Sequence, residues 1–433
     1  MHSNIDLIKK TLKNKQFLYL LNKFFLKKLN VSFLNNGFNK YIEISNLIDT
    51  IDITEKEWLQ NQKIVNSNFS GKVNTINWFI PCFDHIFYGG VYTLFRFINF
   101  FEQKKIENRI VFYGSSSISL EDQKSAIRKN FPKININNIF YLKDKKGSEY
   151  LAQLKRLPNC DASISSFWTS AYLNLKFNKT KSKFYFVQDF EPSFYPANSY
   201  YALSEATYRF GFRGIINTPG LAKFLEENYQ MQTKSFIPQI DKQIYSIDKT
   251  QFKQKFKQMD SRINVFIFLR PNHERNLSEI LMYTAKLLKK KYNDKINIIT
   301  AGDNWNHKKY GLKDIITNYG KLKNLKQVAS LYKKSHIGLA FMSTKHPSYQ
   351  PFEYMAAGCL TIANINKSNF WLLKEGDNCV LSEPIPSILS QKIDSVIEDK
   401  TLYKKLVVNG IETVDRLGGW EYEIKDVLRY IQG

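Results

Sequence analysis

The feature that most constrains the fold is a strand–helix alternation that runs through the chain twice. The first run opens with the apolar stretch 76–80 (Ile-Asn-Trp-Phe-Ile), followed by a helix-period segment at 91–101 and a second apolar stretch at 108–113. Short segments at 161–166, 183–187, 214–217 and 235–237 read as further strands, with helical patterns at 199–210 and 219–229 between them. A polar linker, 241–261, then interrupts the pattern. The second run has strands at 263–269, 296–301, 337–341 and 359–363 and helices at 275–290 and 324–334. Unbroken apolar runs fit strands buried on both faces, and helices between strands imply parallel pairing. A chain of 433 residues is too long for one core. The expected fold is α/β, with two Rossmann-like domains at 71–243 and 244–415. A helical extension, 1–70, precedes them, and a last helix, 416–433, follows. That helix is apolar at Trp420, Ile424, Val427, Leu428 and Ile431.

Four loops carry residues suited to ligand chemistry. Gly89 and Gly90 follow the first strand and open a helix, where a bare backbone lets a ligand approach closely. Gln188, Asp189 and Glu191 follow the 183–187 strand with Phe190, Phe194 and Tyr195, and this mixture of polar groups and aromatic faces suits a sugar. Arg270 and Arg275 follow the first strand of the second run; guanidinium groups there suit phosphate oxygens and the charge that develops on a phosphoryl leaving group. The stretch from His346 through Pro-Ser-Tyr-Gln-Pro-Phe-Glu-Tyr-Met-Ala-Ala to Gly358 starts another helix after a buried strand, which makes an anion site with Glu353 one turn inside it.

The last stretch resembles the signature of the family 4 GT-B glycosyltransferases, in which a Glu sits just inside a helix running into Ala-x-Gly and a second Glu lies eight positions earlier. Glu353 keeps the first place and Lys345 stands at the other, so half the pattern is kept. The fuller phrase, with Ser348, Tyr349 and the segment Asn369-Phe-Trp-Leu-Leu-Lys-Glu-Gly-Asp-Asn-Cys-Val-Leu-Ser-Glu-Pro384, resembles the rhamnan-synthesising rhamnosyltransferases of bacterial surface glycans. The resemblance covers residues 73–415. It implies a GT-B architecture, a cleft between two domains, and a closing helix that crosses back to the first domain. It implies a nucleotide diphosphate sugar as donor, held by Gly89, Gly90, Arg270, Arg275, Lys345, Ser348, Tyr349 and Glu353. A glycan or lipid-linked glycan acceptor would meet Gln188, Asp189, Glu191 and Tyr195, and Asp189, Arg270 and Arg275 are the catalytic candidates. A retaining reaction is expected. With Lys345 in place of the carboxylate, a 6-deoxy donor, dTDP-β-L-rhamnose, is favoured, its methyl covered by Tyr349 or Trp371. The chain has no Asp-x-Asp and no His/Cys spacing for zinc, so no metal or other cofactor is expected. A nucleotide-hexose transferase of capsule or lipopolysaccharide synthesis is the alternative enzyme.

The net charge of +24, from 63 Lys and Arg against 39 Asp and Glu, admits nucleic acid, a membrane surface or an acidic substrate. The basic residues are mainly dispersed Lys with no nucleic-acid-binding motif, so nucleic acid is not expected as a partner. A basic peripheral-membrane module is the non-enzyme alternative. The apolar stripe of Phe17, Leu20, Leu21, Phe24, Phe25 and Leu29, with Lys23, Lys27 and Lys28 between, can dock on the next domain or on an anionic membrane. Cys82, Cys160, Cys359 and Cys379 are scattered, as buried thiols of a reducing compartment would be. No run of 18 apolar residues and no signal peptide is recognisable, so a cytoplasmic location is expected, peripheral at most.

Overall fold

A computed structural model describes residues 50–67, 69, 71–143 and 147–433. The chain builds two parallel sheets. The first holds β1 Thr75–Pro81, β2 Glu107–Tyr113, β3 Ile139–Leu142, β4 Cys160–Ser165, β5 Thr180–Val187, β6 Arg213–Asn217 and β7 Thr233–Phe236, in the order β3-β2-β1-β4-β5-β6-β7. The second holds β8 Ile263–Leu269, β9 Ile296–Gly302, β10 Ile316–Asn318, β11 Ile337–Ala340, β12 Leu360–Asn364 and β13 Val380–Ser382, in the order β10-β9-β8-β11-β12-β13. All recorded strand pairings are parallel. Both sheets are doubly wound. Their order reverses between β1 and β4 and between β8 and β11, and ligand crevices form at such switch points beyond the strands' carboxyl ends.

The central strands bury nearly every side chain because helices cover both faces. Trp78 and Ile80 of β1 face one core with Phe97 and Phe101 of the helix Gly89–Gln103; Phe79 faces the other with Phe177. The last helix, Trp420–Gln432, crosses back and closes the first sheet at β7. Its Ile424, Val427 and Ile431 enter the first domain's core, and Glu423 accepts the Ile237 N–H at 2.8 Å. Helix Glu55–Val65 belongs to the extension. It is capped by Thr54, and its Asn61 bridges the Phe210 carbonyl and the buried Lys183 ammonium, at 2.8 and 3.0 Å. The basic amphipathic stretch at 17–29 lies outside the described residues.

The structure adds helices at Leu120–Asn130, Gly147–Arg156, Trp168–Lys176, Pro386–Glu398 and Lys400–Asp415 that the sequence reading does not name, and differs from it in two further ways. The polar linker is mostly helical: Asp248 caps a helix at Lys249–Gln258, whose Phe252 and Phe256 pack on the second domain's core. Two aromatics among eight Lys, Gln and Thr residues give little periodic signal, yet one turn's spacing suffices to bury them. Strands β3, β10 and β13 were not anticipated. They are three or four residues long, too short for a pattern to show.

Candidate active site

A cavity of about 640 Å³ lies between the carboxyl ends of the two sheets, at both switch points. Gly89, Gly90, Asp189, Arg270, Arg275 and Glu353 line it. On the first domain, β1 ends and the chain re-enters at Gly89–Gln103, so both glycines lie in the helix's first turn. Neither has a left-handed φ. The backbone packs tightly here: a Cβ on Gly90 would stand 3.2 Å from Gln188 Nε2, which donates to the Gly90 carbonyl at 2.9 Å. Gln188 therefore braces the glycine turn. On the second domain, Tyr349 reaches across to the same turn. The Thr93 hydroxyl donates to Gly89 O at 2.7 Å, so the Tyr349 hydroxyl is the donor in its 2.5 Å contact with Thr93.

The cations sit where β8 ends. Arg270 is partly buried against His273, and burial lowers its pKa. Arg275 stacks on Phe194 at 4.4 Å and forms an ion pair with Asp189 across the cleft. Burial brings its guanidinium down to about 10, so it stays charged at neutral pH. Asp189 is 5% exposed and holds more than Arg275: Thr344 donates to its carboxylate, and His346 Nε2 lies 3.2 Å away. The His346 Nδ1 accepts the Ser348 N–H at 3.0 Å, which puts the ring proton on Nε2, facing Asp189. Burial and the nearby Arg275 hold this imidazole down at about 3, so it is neutral. Deeper in the cavity the phenols of Tyr245 and Tyr332 flank Glu353. Burial raises this carboxyl to about 7, and the two phenols oppose the shift.

The remaining sequence candidates are placed as follows. Ser348 lines the cavity with a left-handed φ of 63°. Lys345 lies over the Phe224 ring of the first domain at 4.8 Å and is outside the cavity lining. Glu191 is in the wall, with one carboxyl oxygen taken by the Trp168 N–H at 2.6 Å and the Tyr185 hydroxyl at 2.8 Å; burial raises it to about 8. Its bonds serve the first domain's own packing, not an open sugar face. Tyr195 accepts from Trp168 Nε1 at 2.9 Å, stacks on Tyr200 and does not line the cavity. Trp371 packs behind Phe352. Sequence reasoning missed Thr93, Tyr245, Tyr332 and His346 as cavity groups, and Thr344 as a partner of Asp189. His346 stood inside the quoted motif; Tyr245 lay in the supposed linker, where no pattern marks it. Among the described residues, no three His, Cys, Asp or Glu side chains group together as metal ligands.

The family models fall on the two halves of this cavity. Residues 75–218 match the model described as "WsaF, N-terminal domain", and residues 263–394 match "WsaF, C-terminal domain". The chain belongs to the WsaF-like GT-B glycosyltransferases. The WsaF-type halves each supply one lip of the cavity: the first brings Gly89, Gly90, Gln188 and Asp189, the second Arg270, Arg275, Tyr349 and Glu353. A curated relative, the O-antigen biosynthesis protein RfbC of Myxococcus xanthus, is 33% identical over 360 residues, covering 83% of this chain and 27% of that protein. The WsaF-like chain thus spans about a quarter of that relative's length. Among solved structures, HepE of Anabaena in complex with UDP superposes with a TM-score of 0.62 at 12% identity, covering 82% of this chain and 99% of that one. WaaG, a glycosyltransferase involved in lipopolysaccharide biosynthesis, superposes with a TM-score of 0.60 at 12% identity, covering 83% and 100%. These two likenesses bear on the fold.

Proposed function

We propose that this glycosyltransferase moves L-rhamnose from dTDP-β-L-rhamnose to the growing end of a bacterial surface polysaccharide. The observation that carries the donor choice is the position of Lys345. Hexose-using relatives of the resembling family place a carboxylate there, whereas this chain turns an ammonium away onto Phe224. A 6-deoxy sugar needs no polar partner at C6, and the Tyr349 ring offers its methyl an apolar face. The WsaF models, the O-antigen name of the RfbC relative and the lipopolysaccharide role of WaaG support the polysaccharide setting. UDP in HepE supports a nucleoside diphosphate in the cleft.

In this reading Arg270 and Arg275 hold the diphosphate against the glycine turn, and their charge stabilises the leaving group as the anomeric C–O bond breaks. No metal is needed for that charge. Glu353 takes the ribose hydroxyls. Asp189 keeps Arg275 in place. The acceptor hydroxyl forms the new bond on the face the diphosphate leaves, a leaving phosphate oxygen takes its proton, and the configuration is retained. The working site is the cytoplasmic side of the membrane, where nucleotide sugars are made; among the described residues no helix is long and apolar enough to cross a membrane. A donor panel tests the proposal. Turnover of dTDP-rhamnose is expected. Transfer from UDP-glucose or GDP-mannose, with none from dTDP-rhamnose, would leave the alternative of a nucleotide-hexose transferase.

A further inference from the structure

We infer that Phe87, Tyr88 and Asp84, on the loop between β1 and the glycine turn, form an acceptor subsite that stacks the 6-deoxyhexose end of the glycan at the cavity mouth. This rests on the proposed rhamnosyl transfer. The sugar-binding residues expected from sequence do not supply such a face. Glu191 and Tyr195 are engaged within the first domain, and Asp189 is committed to Arg275, His346 and Thr344. Among the described residues, exposed large hydrophobic side chains are scattered over the surface, and only two of them, Phe87 at 40% and Tyr88 at 41%, line the cavity. They are adjacent in sequence. Exposing two aromatic rings costs apolar burial, so their position at the cavity mouth calls for a ligand.

The loop is built to hold them there. Asp84 Oδ1 accepts from Ser116 Oγ, Ser117 N and Ser117 Oγ at 2.9, 2.7 and 2.9 Å, and Phe83 N donates to Gln123 at 3.1 Å. Phe87 stacks on Tyr92 at 5.5 Å, which supports one ring face. Tyr88 is met from the second domain by the Lys321 ammonium, 5.5 Å from its ring. Asp84 also lines the cavity, and the hydrogen bonds from the Ser116 and Ser117 groups hold its carboxyl below the usual range, so it is an anion. Among the described residues its Oδ2 takes no hydrogen bond, which leaves it to accept from a sugar hydroxyl. Rigid aromatic faces beside a fixed polar acceptor are what a sugar needs, and a 6-deoxyhexose brings an additional apolar methyl. The strip leads from the glycine turn outward, so a glycan lying on it would present its terminal hydroxyl to the cavity.

Saturation-transfer NMR with methyl α-L-rhamnobioside, on the full chain with dTDP present, tests this without turnover. The wild type should transfer saturation to the sugar's C–H and methyl protons. Phe87→Ala and Tyr88→Ala should each weaken sugar binding about fivefold, as loss of one stacked ring implies. Phe87→Leu should behave like Phe87→Ala although it keeps an apolar side chain. Both Phe87 variants should keep the wild-type melting temperature and its upward shift on adding dTDP. No transfer in the wild type, or equal affinity in the Phe87 and Tyr88 variants, overturns the subsite. Absence of the dTDP shift in the wild type strikes the donor reading instead, and transfer to the sugar would then still support the subsite.

Discussion

The imidazole Nε2 of His346 lies 3.2 Å from the Asp189 carboxylate, across the boundary between the two domains. Neither residue marks this contact in sequence, since they are 157 positions apart (346 − 189). Arg275 and Thr344 join the same carboxylate, so one buried anion on the first domain gathers three groups of the second. Asp189→Asn removes the charge and strands the Arg275 guanidinium, which should cost about 3 kcal/mol of stability. A double-mutant cycle with Arg275→Gln, read by denaturant unfolding, should show a coupling above about 1 kcal/mol. Additive effects would refute the latch.

Arg270 makes no close ion pair among the described residues, only a longer-range interaction with Asp303, and is therefore a cleaner test of diphosphate binding than Arg275. A charge-assisted contact is worth about 1.5–3 kcal/mol, so Arg270→Ala should weaken dTDP affinity roughly tenfold or more by calorimetry. Unchanged affinity in a folded variant would remove Arg270 from the donor site.

Domain closure depends on Gly220. The helix Pro219–Tyr229 starts from Thr218 at a left-handed φ of 81° and sets Gly220 against the second domain, where an added Cβ would fall 1.7 Å from the Ser368 carbonyl oxygen. Backbone on the other side cannot yield as a side chain can. Gly220→Ala should leave both domains folded, hold them apart, raise the radius of gyration in small-angle scattering and abolish most turnover. A variant as compact and active as wild type would show that the contact is dispensable.

Glu191 gives a pH signature. Its carboxyl is raised to about 8 from an unfolded value near 4.5, because burial disfavours the charge. The folded state therefore holds a proton that the unfolded state releases between those values. Its contribution is complete below about pH 4.5 and is lost as pH rises through about 8. Glu191→Gln, which cannot ionise, should match wild type near pH 5 and exceed it at pH 9 by on the order of 3 kcal/mol. A stability difference that stays flat from pH 5 to 9 would contradict the assignment.

The sequence by itself determined the two α/β units, because unbroken apolar runs and helical periods are local properties that burial on both faces of a parallel sheet demands. It also placed Gly89, Gly90, Arg270, Arg275 and Glu353 in the loops and helix starts that follow strands, and a doubly wound sheet brings those segments to one crevice. Only the tertiary structure decided what each side chain meets. Glu191 and Asp189 sit two residues apart on one loop, yet one is turned into the wall and the other across the cleft. Tyr245 reaches Glu353 from a segment whose polar composition reads as linker. Lys345 is turned onto Phe224, away from the cavity lining. These outcomes depend on contacts between residues distant in the chain, where packing and desolvation set the direction of a side chain and local pattern carries no information about it.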